Sequence, residues 1–201
     1  MKHRAFWLAL GLTASLSAGL VCPPAHATET TPLARGAYLV NGIGCADCHT
    51  PLKMGAQGPE PDFSRGLSGH PQDMKLAPPP KARGGWLWGG SATNTAFHGP
   101  WGISYAANLT PDKETGLGAW TAEQFVAAIR QGKHAGSGRP IAPPMPWQSF
   151  ARLDDNDLRA IYAYLMAQQP VHNLVPEPSP PAPHGPIGPR GARDGTPARL
   201  K

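Results

Sequence analysis

Three segments of the chain carry apolar side chains at the spacing of one helix face. The first covers about residues 32–43, and Pro32 suits the first turn of a helix. Glycines at positions 42 and 44 weaken its end. Its apolar positions are Leu33, Tyr38, Leu39 and Ile43. The pattern predicts an amphipathic helix here.

Two further helices are predicted between residues 121 and 170. Thr121 is a good N-cap with Gln124 at the capping-box position, and Gly132 ends the segment. Its apolar residues are Phe125, Val126 and Ile129. The third helix begins in the acidic cluster 154–157, which suits a helix N-terminus, and Pro170 bounds it. Its apolar residues are Leu158, Ile161, Tyr162 and Leu165.

The rest of the chain is rich in residues that interrupt regular structure. The 201 residues include 24 glycines and 25 prolines, so extensive loops are expected. Residues 51–107 form a long insertion interrupted by both, and no alternating strand pattern stands out. We therefore predict an all-α domain of three main helices with long irregular loops.

The two ends of the chain differ in composition from this domain. Residues 1–27 have a basic start, an apolar run and an Ala-His-Ala cleavage pattern, which together predict a cleaved export signal. The alternatives are an uncleaved anchor, for which the run of 17 residues is short, and lipidation at Cys22, whose flanking residues fit poorly. The domain is predicted over residues 28–170. A Pro-rich, disordered tail is predicted over residues 171–201.

The charge of the chain excludes one class of partner. The formal net charge is +5, and two of these charges lie in the predicted signal. The remainder is too weak and scattered to indicate nucleic-acid binding.

The candidate chemistry lies in one short motif, Cys45-Ala46-Asp47-Cys48-His49. Two thiols three positions apart can each form a thioether with one haem vinyl group, while the following imidazole binds the iron. The motif therefore predicts one covalent haem c, attached at Cys45 and Cys48 and ligated by His49. A redox dithiol would need a βαβ setting, and a zinc site would need about four ligands, usually from a second cysteine or histidine pair.

A second axial ligand must come from elsewhere in the chain. Met145 lies between the second and third predicted helices, and the prolines on both sides stiffen its loop. Such a loop could hold a thioether on iron at low entropic cost. The alternatives are His98 or His134 as the ligand, with Met145 only filling a gap under the loop.

Several motifs in order give the chain a family resemblance. They are Gly99-Pro-Trp-Gly-Ile-Ser-Tyr-Ala-Ala-Asn-Leu-Thr-Pro-Asp112, Thr115-Gly-Leu-Gly-Ala-Trp120, Pro144-Met-Pro-Trp147 and Asp157-Leu-Arg-Ala-Ile-Tyr-Ala-Tyr-Leu165. Over about residues 32–170 they resemble class I cytochrome c domains, and more narrowly the cytochrome subunits of bacterial periplasmic alcohol, aldehyde and related dehydrogenases. The resemblance implies a cytochrome c-like fold around one haem, with Met145 as distal ligand and the motif at Asn108 along the haem edge. Asn108 is therefore a candidate haem contact, by donation to a propionate, with a plain turn as the alternative.

Electron transfer is the function these observations predict. The protein would be a non-enzymatic periplasmic carrier, or an electron-transfer subunit, that relays electrons from a dehydrogenase or quinol-linked donor to an oxidase or another cytochrome. Its partners would be redox proteins, with a membrane-associated complex as one possible setting. The alternative is a small haem enzyme acting on peroxide or a sulfur compound, with a labile sixth ligand.

Overall fold

The computed structural model describes residues 31–80 and 87–181. In this part of the chain, two helices are followed by five short strands and then by three more helices. The helices are α1 (Pro32–Gly42), α2 (Cys45–His49), α3 (Ala122–Gln131), α4 (Trp147–Phe150) and α5 (Asp155–Met166). The strands are β1 (Leu52–Gly55), β2 (Gly58–Pro61), β3 (Gly89–Gly90), β4 (Ala96–Gly99) and β5 (Gly102–Tyr105). The three predicted helices are confirmed as α1, α3 and α5.

The first and last helices, α1 and α5, cross closely. A Cβ built on Gly36 would lie 2.0 Å from the carbonyl oxygen of Ala160, so the two backbones meet where α1 has no side chain. Arg35 secures the crossing by donating to both carboxylate oxygens of Asp157, at 2.7 and 2.8 Å. These contacts place the beginning of the domain against its end.

The apolar face predicted for α1 is partly wrong. Tyr38 is 69% exposed and Leu33 is 48% exposed, whereas Gly36, Leu39 and Val40 are buried. The buried positions follow the helical spacing that starts at Gly36. Since glycine has no apolar side chain, the sequence pattern did not count it as part of the face.

The core joins α1, α3 and α5. The predicted capping box at the start of α3 is present, with Thr121 and Gln124 each accepting a backbone hydrogen bond from the other residue. The buried cluster comprises Leu39, Val40, Leu67, Leu117, Phe125, Ile129, Leu158, Ile161 and Leu165. The apolar stripe predicted for the third helix thus supplies three of its members.

The all-α prediction is wrong, because the 51–107 insertion contains two antiparallel sheets. One pairs β1 with β2, and the other has the order β3-β4-β5. The strands are two to four residues long and begin or end at glycines, so their alternation is too short to read from sequence. The pair β4–β5 turns through Pro100 and Trp101, between Gly99 and Gly102.

The first part of the predicted tail is also ordered against the domain. The side chain of Asn173 is fully buried, and its amide nitrogen donates to the carbonyl oxygens of Ser68 and His70 at 2.7 and 2.9 Å. Its oxygen accepts from Arg65 and from the backbone of Gln72. Four bonds saturate this amide, which explains why a proline-rich segment stays in place without an apolar face. Residues 182–201 lie outside the described residues.

The predicted export signal at residues 1–27 lies outside the described residues too. Within residues 31–80 and 87–181, no helix has the length and apolar character needed to cross a membrane.

Candidate functional site

The motif residues lie on one short helix, α2. Gly44 precedes it in the left-handed conformation, with φ of 76°, so the chain turns sharply from α1 into α2. Cys45 and Cys48 are both free thiols, three positions and therefore about one turn apart. This arrangement presents two thiols to one side of a single helical turn.

The two thiols have the wrong acidity for a redox dithiol. Burial raises the pKa of Cys45 to about 11, and burial together with the nearby Asp47 carboxylate raises the pKa of Cys48. A reactive dithiol instead depends on a thiol with a lowered pKa. Both sulfurs are therefore protonated at neutral pH, which suits thiols that will be consumed in thioether bonds.

His49 is held in one orientation by the backbone. Its Nδ1 lies 2.7 Å from the carbonyl oxygen of Ala107. Because a carbonyl only accepts, Nδ1 carries the proton and donates, which leaves the lone pair of Nε2 free to bind a metal. Burial lowers the pKa of His49, so the imidazole stays neutral. Histidines that bind a metal through one ring nitrogen typically donate the N–H of the other to such a carbonyl oxygen.

A glycine brings the acceptor of His49 into place. Gly69 has φ of 78°, and a Cβ there would lie 2.3 Å from the carbonyl oxygen of Ala106. Its amide donates to the carbonyl oxygen of His49 at 2.8 Å, so it contacts both the motif helix and the segment beyond β5. Only glycine fits this position, for reasons of both conformation and space. Sequence reasoning missed Gly69 and Ala107, because their contribution is made by backbone atoms.

Met145 lies in a loop fixed at both ends. It is partly buried and packs against the same core cluster as Cys45. On one side, Ile141 donates to the carbonyl oxygen of Gly132 at 2.8 Å, and the ring of Trp147 covers Gly132. On the other side, Ser104 of β5 binds the carbonyl oxygen of Pro143. No pattern in the sequence indicates the contact made by Ser104.

The two histidines considered as alternative ligands lie on different elements. His98 belongs to β4, opposite Gly89 of β3. His134 follows α3, and its ring meets that of Trp120 edge-on at a centroid distance of 4.9 Å.

Asn108 is buried, and its amide is fully occupied by the protein. The nitrogen donates to the hydroxyl of Thr115 and the carbonyl oxygen of Val171, at 3.1 and 2.8 Å. The oxygen accepts from the backbone and the hydroxyl of Thr110. Both amide hydrogens are used within the protein, where Asn108 fixes its own loop to the 171–173 segment, and its contact with a haem stays a prediction.

The residues present fit a covalently attached haem. Two protonated thiols lie one turn apart, and the histidine that follows them has its Nδ1 proton directed away by Ala107. Among the described residues, no three His, Cys, Asp or Glu side chains cluster in a way that could hold a metal ion without such a group.

Comparison with known proteins gives one family. The family model described as Cytochrome c matches residues 33–169. The fructose dehydrogenase cytochrome subunit of Gluconobacter japonicus is 32% identical over 151 residues, which are 72% of this chain and 24% of that protein. A subunit of the nicotinate dehydrogenase of Pseudomonas putida is 43% identical over 86 residues, which are 43% of this chain and 7% of that protein.

A third relative is the cytochrome c subunit of the quinone-dependent alcohol dehydrogenase of Gluconobacter oxydans. It is 42% identical over 86 residues, which are 37% of this chain and 18% of that protein. The matched region of this chain thus spans less than a quarter of the length of each of these relatives.

Proposed function

This chain belongs to the cytochrome c family, and on that premise we propose that it is a periplasmic electron carrier with one haem c ligated by His49 and Met145. The family binds haem covalently through the spacing that Cys45 and Cys48 provide. When bound, the haem supplies reversible one-electron exchange at its iron. The observation that carries the proposal is the bond from His49 to Ala107, since it frees Nε2 as the proximal ligand.

The protein's contribution is to hold both ligands in place. His49 presents a neutral imidazole from a buried position, and its orientation is fixed before any ligand binds. Met145 offers a thioether from a loop fixed on two sides. A thioether ligand raises the reduction potential relative to a second nitrogen donor, which suits a carrier that accepts electrons from a dehydrogenase.

The donor is proposed from the relatives. Those named above are subunits of fructose, nicotinate and alcohol dehydrogenases. We infer that this chain also receives electrons from a dehydrogenase, either as a subunit or as a shuttle, and passes them to an oxidase or another cytochrome. Residues 1–27 have a basic start, then an apolar run and then a cleavage pattern, and this order supports export to the periplasm.

The visible spectrum of the ferric protein tests the proposed ligation. The wild type is expected to show the weak far-red band of an iron–sulfur bond, and Met145→Ala is expected to lose it completely while retaining covalent haem. Met54→Ala is the matched control, because Met54 is 79% exposed on the β1–β2 hairpin and its truncation should leave the band intact. A wild type without the band would refute Met145 as the ligand.

A further inference from the structure

The β4–β5 hairpin reaches across to the loop that carries Met145. Ser104 of β5 is only 6% exposed, and its hydroxyl oxygen lies 2.5 Å from the carbonyl oxygen of Pro143. Because a carbonyl oxygen only accepts, Ser104 donates its proton to Pro143 in a short hydrogen bond. The accepting carbonyl is two residues before Met145.

The direction of the Ser104 hydroxyl is fixed by a second contact. The indole nitrogen of Trp101 lies 3.2 Å from the Ser104 oxygen, and an indole N–H only donates. Trp101 therefore fills a lone pair of the hydroxyl, whose hydrogen is directed to Pro143. The carbonyl oxygen of Phe97, at 3.4 Å, is a poorer acceptor for the same hydrogen. The result is a chain of two hydrogen bonds from Trp101 through Ser104 to Pro143.

Prolines alone do not give the loop its position. Pro144 and Pro146 restrict the backbone torsions next to Met145, but a stiff loop can still move as one body. The contacts with Gly132 hold the side of the loop nearest α3. Ser104 supplies a side-chain hydrogen bond from the opposite element, the inserted sheet.

We propose that Ser104 is a positioning residue for the distal ligand: by binding Pro143, it holds the Met145 thioether on the haem iron. This inference rests on the proposed ligation by Met145. Ser104 does not touch the iron, and it acts by raising the free energy needed to move the loop away. Trp101 supports it by fixing the hydroxyl.

Competition with imidazole measures how firmly the loop holds Met145 on the iron. Added imidazole can bind ferric iron only after Met145 leaves, so the cost of moving the loop weakens its apparent affinity. Removing one hydrogen bond with Ser104→Ala should tighten imidazole binding about 3- to 10-fold, read from the loss of the far-red band. Trp101→Phe should shift the affinity in the same direction by a smaller factor.

Ser91→Ala is the matched control. Its hydroxyl oxygen accepts a hydrogen bond from the backbone amide of Ala96, in the inserted sheet, at 3.1 Å. Among the described residues, it makes no hydrogen bond to the Met145 loop. Imidazole affinity should therefore stay at the wild-type value in this variant. If Ser104→Ala and Ser91→Ala bind imidazole equally, while the wild type shows the far-red band, the positioning role is refuted and ligation by Met145 stands. A wild type that lacks the band refutes the ligation itself.

Discussion

Replacing both Cys45 and Cys48 with alanine is expected to abolish covalent attachment of haem. The two thiols are the free cysteines of the described chain, and both lie on α2, directly before the buried His49. Without them His49 would be the only remaining bond from the motif to the cofactor, and a single coordinate bond does not survive denaturation. Haem staining after denaturing electrophoresis should fall from full intensity in the wild type to background in the double variant.

The single variants make the same test quantitative. Cys45→Ala and Cys48→Ala should each leave one thioether, which the pyridine haemochrome spectrum distinguishes from two because one vinyl group remains unsaturated. Asp47→Ala is the control on the same turn, since Asp47 is exposed and carries no thiol. Persistent haem staining in the double variant would contradict attachment at this motif.

Substituting Gly36 with valine should cause the largest loss of stability of any single change considered. A Cβ at this position would lie 2.0 Å from the oxygen and 2.6 Å from the carbon of the Ala160 carbonyl. Both are backbone atoms of α5, so no side chain can move aside and the helices must separate. The free energy of unfolding should fall by about 3 kcal/mol or more, at the upper end of the range for overpacking.

Guanidinium unfolding of the ferric holoprotein, followed by far-ultraviolet circular dichroism, measures this loss. Gly42→Ala provides the control in the same helix, because nothing lies within 4 Å of a Cβ built at that position. Its effect should stay within about 1 kcal/mol of the wild type. Equal losses in Gly36→Val and Gly42→Ala would show that the α1–α5 crossing is looser than described.

The helices could be predicted because local chemistry defines them. The capping box of Thr121 and the acidic start of α5 are signals that need only a few neighbouring residues, and both are found in the structure. The buried face of α1 was misassigned because it begins at Gly36, which is buried for its lack of a side chain. A pattern of apolar residues cannot register that kind of contact.

The two sheets and the ordered part of the tail depend on partners distant in sequence. Strands of four residues show too few alternations to be recognised, and β4–β5 is defined instead by glycines on either side of a two-residue turn. Asn173 anchors residues that composition alone predicts to be disordered, through bonds to carbonyl groups more than 100 positions away. The ordered part of the tail has no local signature, and the local signature of the β4–β5 pair is limited to the glycines at its turn.

The candidate site also has one part that the sequence predicts and another that it does not. The thiols and imidazole of α2 follow directly from the motif, because their spacing is itself the chemistry. The Ala107 carbonyl orients His49, and Gly69 brings that carbonyl into place. Ser104 donates to Pro143. Each of these contacts joins residues that lie far apart along the chain. Asn108 stays a predicted haem contact, and the structure adds the bonds that its amide makes to its own loop and to Val171, which the sequence does not indicate.

Carbon monoxide binding to the ferrous protein distinguishes an electron carrier from a haem enzyme. If Met145 closes the sixth position, the wild-type spectrum should remain unchanged during the time in which Met145→Ala, under the same conditions, converts fully to its carbon monoxide complex. If the wild type binds carbon monoxide as fast as the variant, the iron is open, and the protein is not the closed His49/Met145 carrier proposed here.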